Sequence, residues 1–190
     1  EELGVKRWQV DAAVKLIDEG NTIPFISRYR KEVTGSLNDE QLRKLHERLV
    51  YLRNLEEKKA QVISSIEEQG KLTEELRQQI LAAETQVTVE DLYRPYRPKR
   101  RTRATIAKEK GLEPLAAFIM LQNAKEPLEH TAQQYVSEEK DVKSAADAIA
   151  GAKDIIAESI SDNADYRSWI RKTTMKKGKV TSAAKDPEAE

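Results

Sequence analysis

Between Gly35 and Gly70 the chain contains neither glycine nor proline, and this uninterrupted run constrains the fold more than any other feature. Leu42, Leu45, Leu49 and Leu52 alternate spacings of three and four, Leu55 extends the row, and Val62, Ile63 and Ile66 resume it. That repeat belongs to one buried face of an α-helix. Asn38 followed three residues later by Gln41 has the form of a capping box, and Asp39 and Glu40 place negative charge at the positive end of the helix dipole. A helix over 39–69 is predicted, about 45 Å long at about 1.5 Å per residue. Arg43 with Glu47 and Arg53 with Glu57 supply opposite charges four apart on the exposed side. The apolar row breaks at Glu56 and Lys59, which argues against a sustained coiled coil and for an arm of an antiparallel helical hairpin.

Helical punctuation continues on both sides. Val5, Trp8, Ala12, Ala13, Leu16 and Ile17 predict a helix that stops at Gly20 and Asn21, and Pro24 suits the first turn of a short helix carrying Phe25 and Tyr29. Thr73 ahead of Glu74 and Glu75 caps a helix reaching about Ala83, and Thr88 with Asp91 is expected to cap one further turn. Glu113 and Pro114 lead into an apolar helix through Leu121, Pro127 opens another toward Val136, and Ser144 with Asp147 caps a helix reaching Ile160. A last helix is predicted from near Asn163 to Lys177, followed by an extended segment at Lys179, Val180 and Thr181. Trp8 and Trp169 are expected to anchor cores. With aromatics at 5% and charged residues at 35%, the expected class is all-α: a multi-helix array with one long hairpin arm, short connecting helices and a short strand at the carboxyl end. The predicted divisions are 1–70, 71–111, 112–178 and a connecting piece at 179–190, read as one helical region of a longer protein.

Composition narrows the chemistry. The chain has no cysteine, so disulfides and thiolate metal sites are excluded and a reducing, cytoplasmic setting is expected. No apolar run has the length to span a bilayer, and no membrane partner is expected. His46 and His130 lack the spacing of metal ligands, and the pairs Glu67-Glu68, Glu74-Glu75 and Glu138-Glu139 read as solvated faces. No metal, cofactor or catalytic residue is predicted, and the chain is read as no enzyme.

The net charge is zero, so polyanion binding requires local clustering. Such a cluster is Tyr93-Arg94-Pro95-Tyr96-Arg97-Pro98-Lys99-Arg100-Arg101-Thr102-Arg103. Pro95 and Pro98 stiffen the backbone and predict an extended basic strap. Arg94, Arg97, Lys99, Arg100, Arg101 and Arg103 are candidate phosphate contacts, and Tyr96 a candidate stacking ring. In the competing reading, Tyr93 and Tyr96 pack on neighbouring helices while the arginines pair with acids. Arg28, Arg30 and Lys31, beside Phe25 and Tyr29, form a weaker candidate group that also reads as an interhelical wedge. The cations Arg171, Lys172, Lys176, Lys177 and Lys179 are accounted for by the dipole at a helix end.

The strings Ile23-Pro24-Phe25-Ile26-Ser27-Arg28-Tyr29-Arg30-Lys31-Glu32 and Asp91-Leu92-Tyr93-Arg94-Pro95-Tyr96-Arg97-Pro98-Lys99-Arg100-Arg101-Thr102-Arg103-Ala104 resemble signatures of the bacterial Tex family of transcription accessory proteins. The resemblance continues at Glu67-Glu68-Gln69-Gly70-Lys71-Leu72-Thr73, Lys110-Gly111-Leu112-Glu113-Pro114-Leu115 and Gly151-Ala152-Lys153-Asp154-Ile155-Ile156-Ala157-Glu158. It implies an amino-terminal helical region, followed in the full family by a RuvC-like YqgF domain, helix-hairpin-helix elements and an OB-type RNA-binding domain. The implied role is a non-catalytic scaffold of a transcription-associated protein with RNA or DNA as partner, mainly through those other domains. Two alternatives follow: a scaffold docking transcription machinery without touching nucleic acid, and the structural part of a YqgF-like nuclease.

Overall fold

The computed structural model describes residues 3–122 and 126–183. The fold is all-α, with eleven helices among the described residues and one isolated antiparallel bridge between Ser137 and Val142. The chain divides into two compact units, Glu1–Lys71 and Leu72–Glu190.

In the first unit, α1 (Arg7–Asp18), α2 (Ile23–Tyr29), α3 (Lys31–Thr34) and α4 (Asp39–Glu68) surround a core of Ala13, Leu16, Ile26, Leu37, Leu42 and Leu45. The segment carrying Arg28, Arg30 and Lys31 is split, because Arg30 leaves helical geometry and caps α2. The expected capping box of the long helix is present: the Asn38 side chain accepts from the Gln41 amide at 2.8 Å, and the Gln41 side chain accepts from the Asn38 amide at 3.0 Å. Arg53 of α4 grips Asp18 of α1 in a two-pronged pair at 2.8 and 2.9 Å.

The buried row of α4 differs from the predicted one. Leu52 is 42% exposed, whereas Lys59, read as a break, is buried with Leu55, Val62 and Ile66 at spacings of four, three and four. Lysine fits there because its aliphatic stem is apolar and its Nζ reaches Glu56 at 2.8 Å. Trp8 is likewise no core anchor, being 51% exposed; its indole lies close against the turn at Gly35.

The second unit contains α5 (Glu74–Ala82), α6 (Gln86–Tyr93), α7 (Arg103–Glu109), α8 (Glu113–Leu121), α9 (Leu128–Gln133), α10 (Ala145–Asp162) and α11 (Ala164–Lys177). Helix α10 is the axis, with α7, α8 and α9 packed around it over Ala104, Ala107, Leu112, Leu115, Ala148 and Ala152. Small residues bring these helices close together: a Cβ added to Gly151 would overlap a methyl of Leu112 and crowd Ala107. Thr73 and Ser144 cap their helices through the side chain as expected, and Asn163, near the predicted start of the last helix, caps α11 in the same way. The cap of α6 is Thr85 instead of Thr88, whose amide donates to the Thr85 hydroxyl at 3.2 Å. Two further expectations fail. Trp169 is 67% exposed on a helix with no buried residue, and the residues 179–181 form no strand. Of the connecting piece at 179–190, residues 184–190 lie outside the described residues.

Gly35 holds a left-handed φ of 62°, and a Cβ there would overlap the Trp8 indole. Gly35→Ala therefore meets both backbone strain and a steric clash, and should destabilise the first unit by about 2 kcal/mol. Thermal or urea unfolding of the variant against the parent chain checks this.

Candidate nucleic-acid interface

The basic connector begins where α6 ends. Pro95 has no N–H to continue the helical ladder, yet the chain first closes a turn, with the amides of Tyr96 and Arg97 both donating to the Tyr93 carbonyl at 2.9 and 3.0 Å. Turn and bend geometry continues through Arg97, and residues 98–102 have neither helix nor turn before Thr102 caps α7. The strap is thus shorter than predicted, and Arg103 belongs to a helix that the sequence reading did not separate from it.

Two buried aspartates govern this region. Asp162 is the last residue of α10, at the negative end of a helix dipole, where a carboxylate is unfavourable without compensation. Arg94 supplies that compensation through Nε at 2.9 Å from one carboxylate oxygen, and Lys99 Nζ bonds the other. Lys99 also lies 3.6 Å from Glu158, one turn earlier on α10, and Glu158 accepts a hydrogen bond from the Thr102 hydroxyl at 3.0 Å. Both ends of the connector are therefore tied to one side of α10.

Asp91 on α6 is 5% exposed and receives Arg167 Nε at 2.8 Å and Arg171 Nη2 at 2.6 Å, both from α11. Burial alone would push its carboxyl up in pKa. The hydrogen bonds from Arg167 and Arg171 outweigh this and hold it below the ordinary carboxylate value.

The remaining candidates face outward. Arg101 pairs with Glu109 at 2.7 Å on the surface, a contact that water and salt weaken. Arg97 and Arg103 stand 4.0 and 3.9 Å from Glu90 and Asp154, with side chains 65% and 87% exposed. Arg100 is exposed and has no ion-pair partner among the described residues. Tyr96 is half-buried at the turn. Beneath the connector, an open groove of about 630 Å³ runs between it, α8 and α10, lined by Pro95, Lys99, Ala116, Met120, Ile155 and Asp162 among others.

The weaker group lies in the first unit, apart from the connector in sequence and in its own compact body. Arg30 sits 5.1 Å over the Phe25 ring and donates to the Tyr29 carbonyl, while Arg28 and Lys31 have no ion-pair partner among the described residues. Phe25 and Tyr29 meet as a tilted pair with ring centroids 5.4 Å apart and Tyr29 62% exposed, so the aromatic pair does not wedge between helices as a buried unit. Among the described residues no group of three or more His, Asp or Glu side chains is arranged to hold a metal ion, and no helix is long and apolar enough to cross a membrane.

The residues that the sequence reading missed are the acids. Glu158 and Asp162 organise the connector and Asp91 holds α11, and only Asp162, a carboxylate at a helix carboxyl end, carried a local signal of it.

An all-α chain of two compact units, the second built on a central helix with a basic connector anchored on its carboxylates, is the class of protein that this geometry defines. Residues 1–67 match the family model described as the Tex-like protein N-terminal domain, and residues 122–190 match that of the Tex central region-like family. The chain is 49% identical over 183 residues to the uncharacterized protein YdcI of Bacillus subtilis, covering 96% of this chain and 26% of the relative. It is 49% identical over 171 residues to the transcriptional accessory protein Tex of Neisseria gonorrhoeae, covering 90% of this chain and 22% of that protein. It is also 29% identical over 179 residues to the human S1 RNA-binding domain-containing protein 1, covering 93% of this chain and 18% of that protein. The chain belongs to the Tex family, and it spans about a quarter of the length of the bacterial relatives it matches.

Because the Asp91 carboxyl is held below its unfolded value, its contribution to stability is present above the unfolded pKa of about 3.9 and is lost as pH falls through the folded value. Asp91→Asn should lose about 2 kcal/mol at neutral pH and flatten the loss of stability below pH about 4. Chemical denaturation across that range, on parent and variant, measures both effects.

Proposed function

We propose that this chain is a non-catalytic helical scaffold of a transcription-associated nucleic-acid-binding protein, with the outward part of its basic connector as an auxiliary phosphate-contact surface. The observation that carries the reading is the division of the connector's cations. Arg94 and Lys99 neutralise Asp162, whereas Arg97, Arg100 and Arg103 recur every third residue on the solvent side with distant partners or none. Guanidinium groups left in water next to weakly held acids can exchange those contacts for phosphates, because a polyanion releases counterions when it binds them. The names of the Neisseria gonorrhoeae and human relatives, one a transcriptional accessory protein and the other an S1 RNA-binding domain-containing protein, support the same direction. A cytoplasmic setting fits this role.

No catalytic step is assigned to the chain. A protein-docking scaffold is the second reading, favoured by the exposed apolar side chains Met120 and Leu121 at the end of α8, which are 55% and 66% exposed. The two readings separate in a titration of the chain with a single-stranded oligonucleotide at several salt concentrations. Three phosphate contacts predict a logarithmic salt slope of about −2. The variant Arg97→Ser/Arg100→Ser/Arg103→Ser should lose most of that slope and weaken binding, with its helicity intact. An unchanged affinity and slope in the folded variant would remove the phosphate-contact role of the connector.

A further inference from the structure

Helix α11 has two faces that behave differently. One, carrying Arg167 and Arg171 four residues apart, is anchored on Asp91. The other carries Tyr166, Trp169, Lys172 and Lys176, spaced at three, three and four residues, which places them in one stripe along the helix. Tyr166 and Trp169 are 52% and 67% exposed, and no residue of the helix is buried. Neither Lys172 nor Lys176 has a carboxylate partner among the described residues. The dipole accounts for Lys176 in the last turn, but Lys172 stands before that turn.

We infer that this stripe is a second contact for single-stranded nucleic acid, in which Trp169 and Tyr166 stack on bases while Lys172 and Lys176 hold the flanking phosphates. The choice of occupant rests on charge complementarity. In the second unit the cations beside buried surface are matched by acids, as Arg94, Lys99, Arg167 and Arg171 are. On this stripe two large rings stand beside two unmatched lysines, and the one acid on the same face, Asp165, sits in the first turn where the helix dipole favours it. An apolar protein surface would cover the rings and strand the ammonium groups, whereas a single strand offers π-faces and negative charge at alternating positions. Rings fixed on a helix lose little conformational freedom on stacking, and the Asp91 pairs hold that helix by its other side. Duplex, whose bases already stack on one another, fits the rings poorly. The inference rests on the nucleic-acid reading above, but it uses different residues and can fail alone.

The chain has two tryptophans, so in Trp8→Phe all tryptophan emission reports on Trp169. The test titrates this variant with an oligothymidylate or oligouridylate of about 15 nucleotides and follows both emission and anisotropy of a labelled oligomer. The expected result is quenching of Trp169 that salt reverses, binding about tenfold weaker in Trp169→Ala, near-parental binding in Trp169→Phe, and a reduced salt slope in Lys172→Gln/Lys176→Gln. Since no residue of α11 is buried, these variants leave the core untouched, and circular dichroism verifies that they fold. Oligomer bound without quenching, and with equal affinity in Trp169→Ala, overturns the stripe and leaves the connector standing. Absence of binding in every chain overturns both readings. Trp169 emission already shielded from a soluble quencher, and released on dilution, assigns the stripe to a second copy of the chain and also overturns the inference.

Discussion

Burying a carboxylate is costly unless cations match it, and two such groups, Asp91 and Asp162, set the arrangement of the second unit. Each accepts two cations, and in each case the cations come from one other segment: α11 for Asp91, the connector for Asp162. A hydrophobic contact between α6 and α11 would tolerate sliding, because apolar attraction is not directional. Hydrogen bonds from two guanidinium groups to opposite oxygens of one carboxylate do not tolerate it. The pairs therefore specify register where α11 itself has no buried residue to do so.

The proposed contact surface follows from this. Asp162 and Glu158 fix Lys99 and Thr102 against α10, so the residues between and around them have a defined outward direction. Arg100, next to the inward Lys99, is exposed and pairs with none of the acids that hold its neighbour. A basic run that looks uniform thus does two jobs: some of its charges hold the fold, and the others are displayed by it. Charge density along a sequence does not measure polyanion affinity until the intramolecular partners are known.

The features legible in the sequence are those whose causes are local. The caps at Asn38, Thr73 and Ser144 each join a side chain to an amide three residues on, and the left-handed turn at Gly35 needs only that residue's freedom. The decisive ion pairs join residues separated by 63 to 80 positions, and nothing in the neighbourhood of Asp91 marks it as their target. Helix α7 was hidden because its first residue, Arg103, also ends the basic run, although Thr102 with Thr105 offered a cap. The two tryptophans mislead for another reason. Helical periodicity identifies an apolar face but not whether anything covers it, so Trp8 and Trp169 read as core residues while both are more than half exposed.

The central claim is that Asp162 and its cations act as one coupled unit that fixes the connector. A double-mutant cycle measures this directly, using Lys99→Met, Asp162→Asn and the two together, with unfolding free energies from urea denaturation at neutral pH. Coupling of about 1 kcal/mol or more is predicted, the double variant losing less than the two single ones combined. Additivity to within about 0.3 kcal/mol would mean that the pair contributes nothing specific, and the division between holding and displayed cations would have no basis.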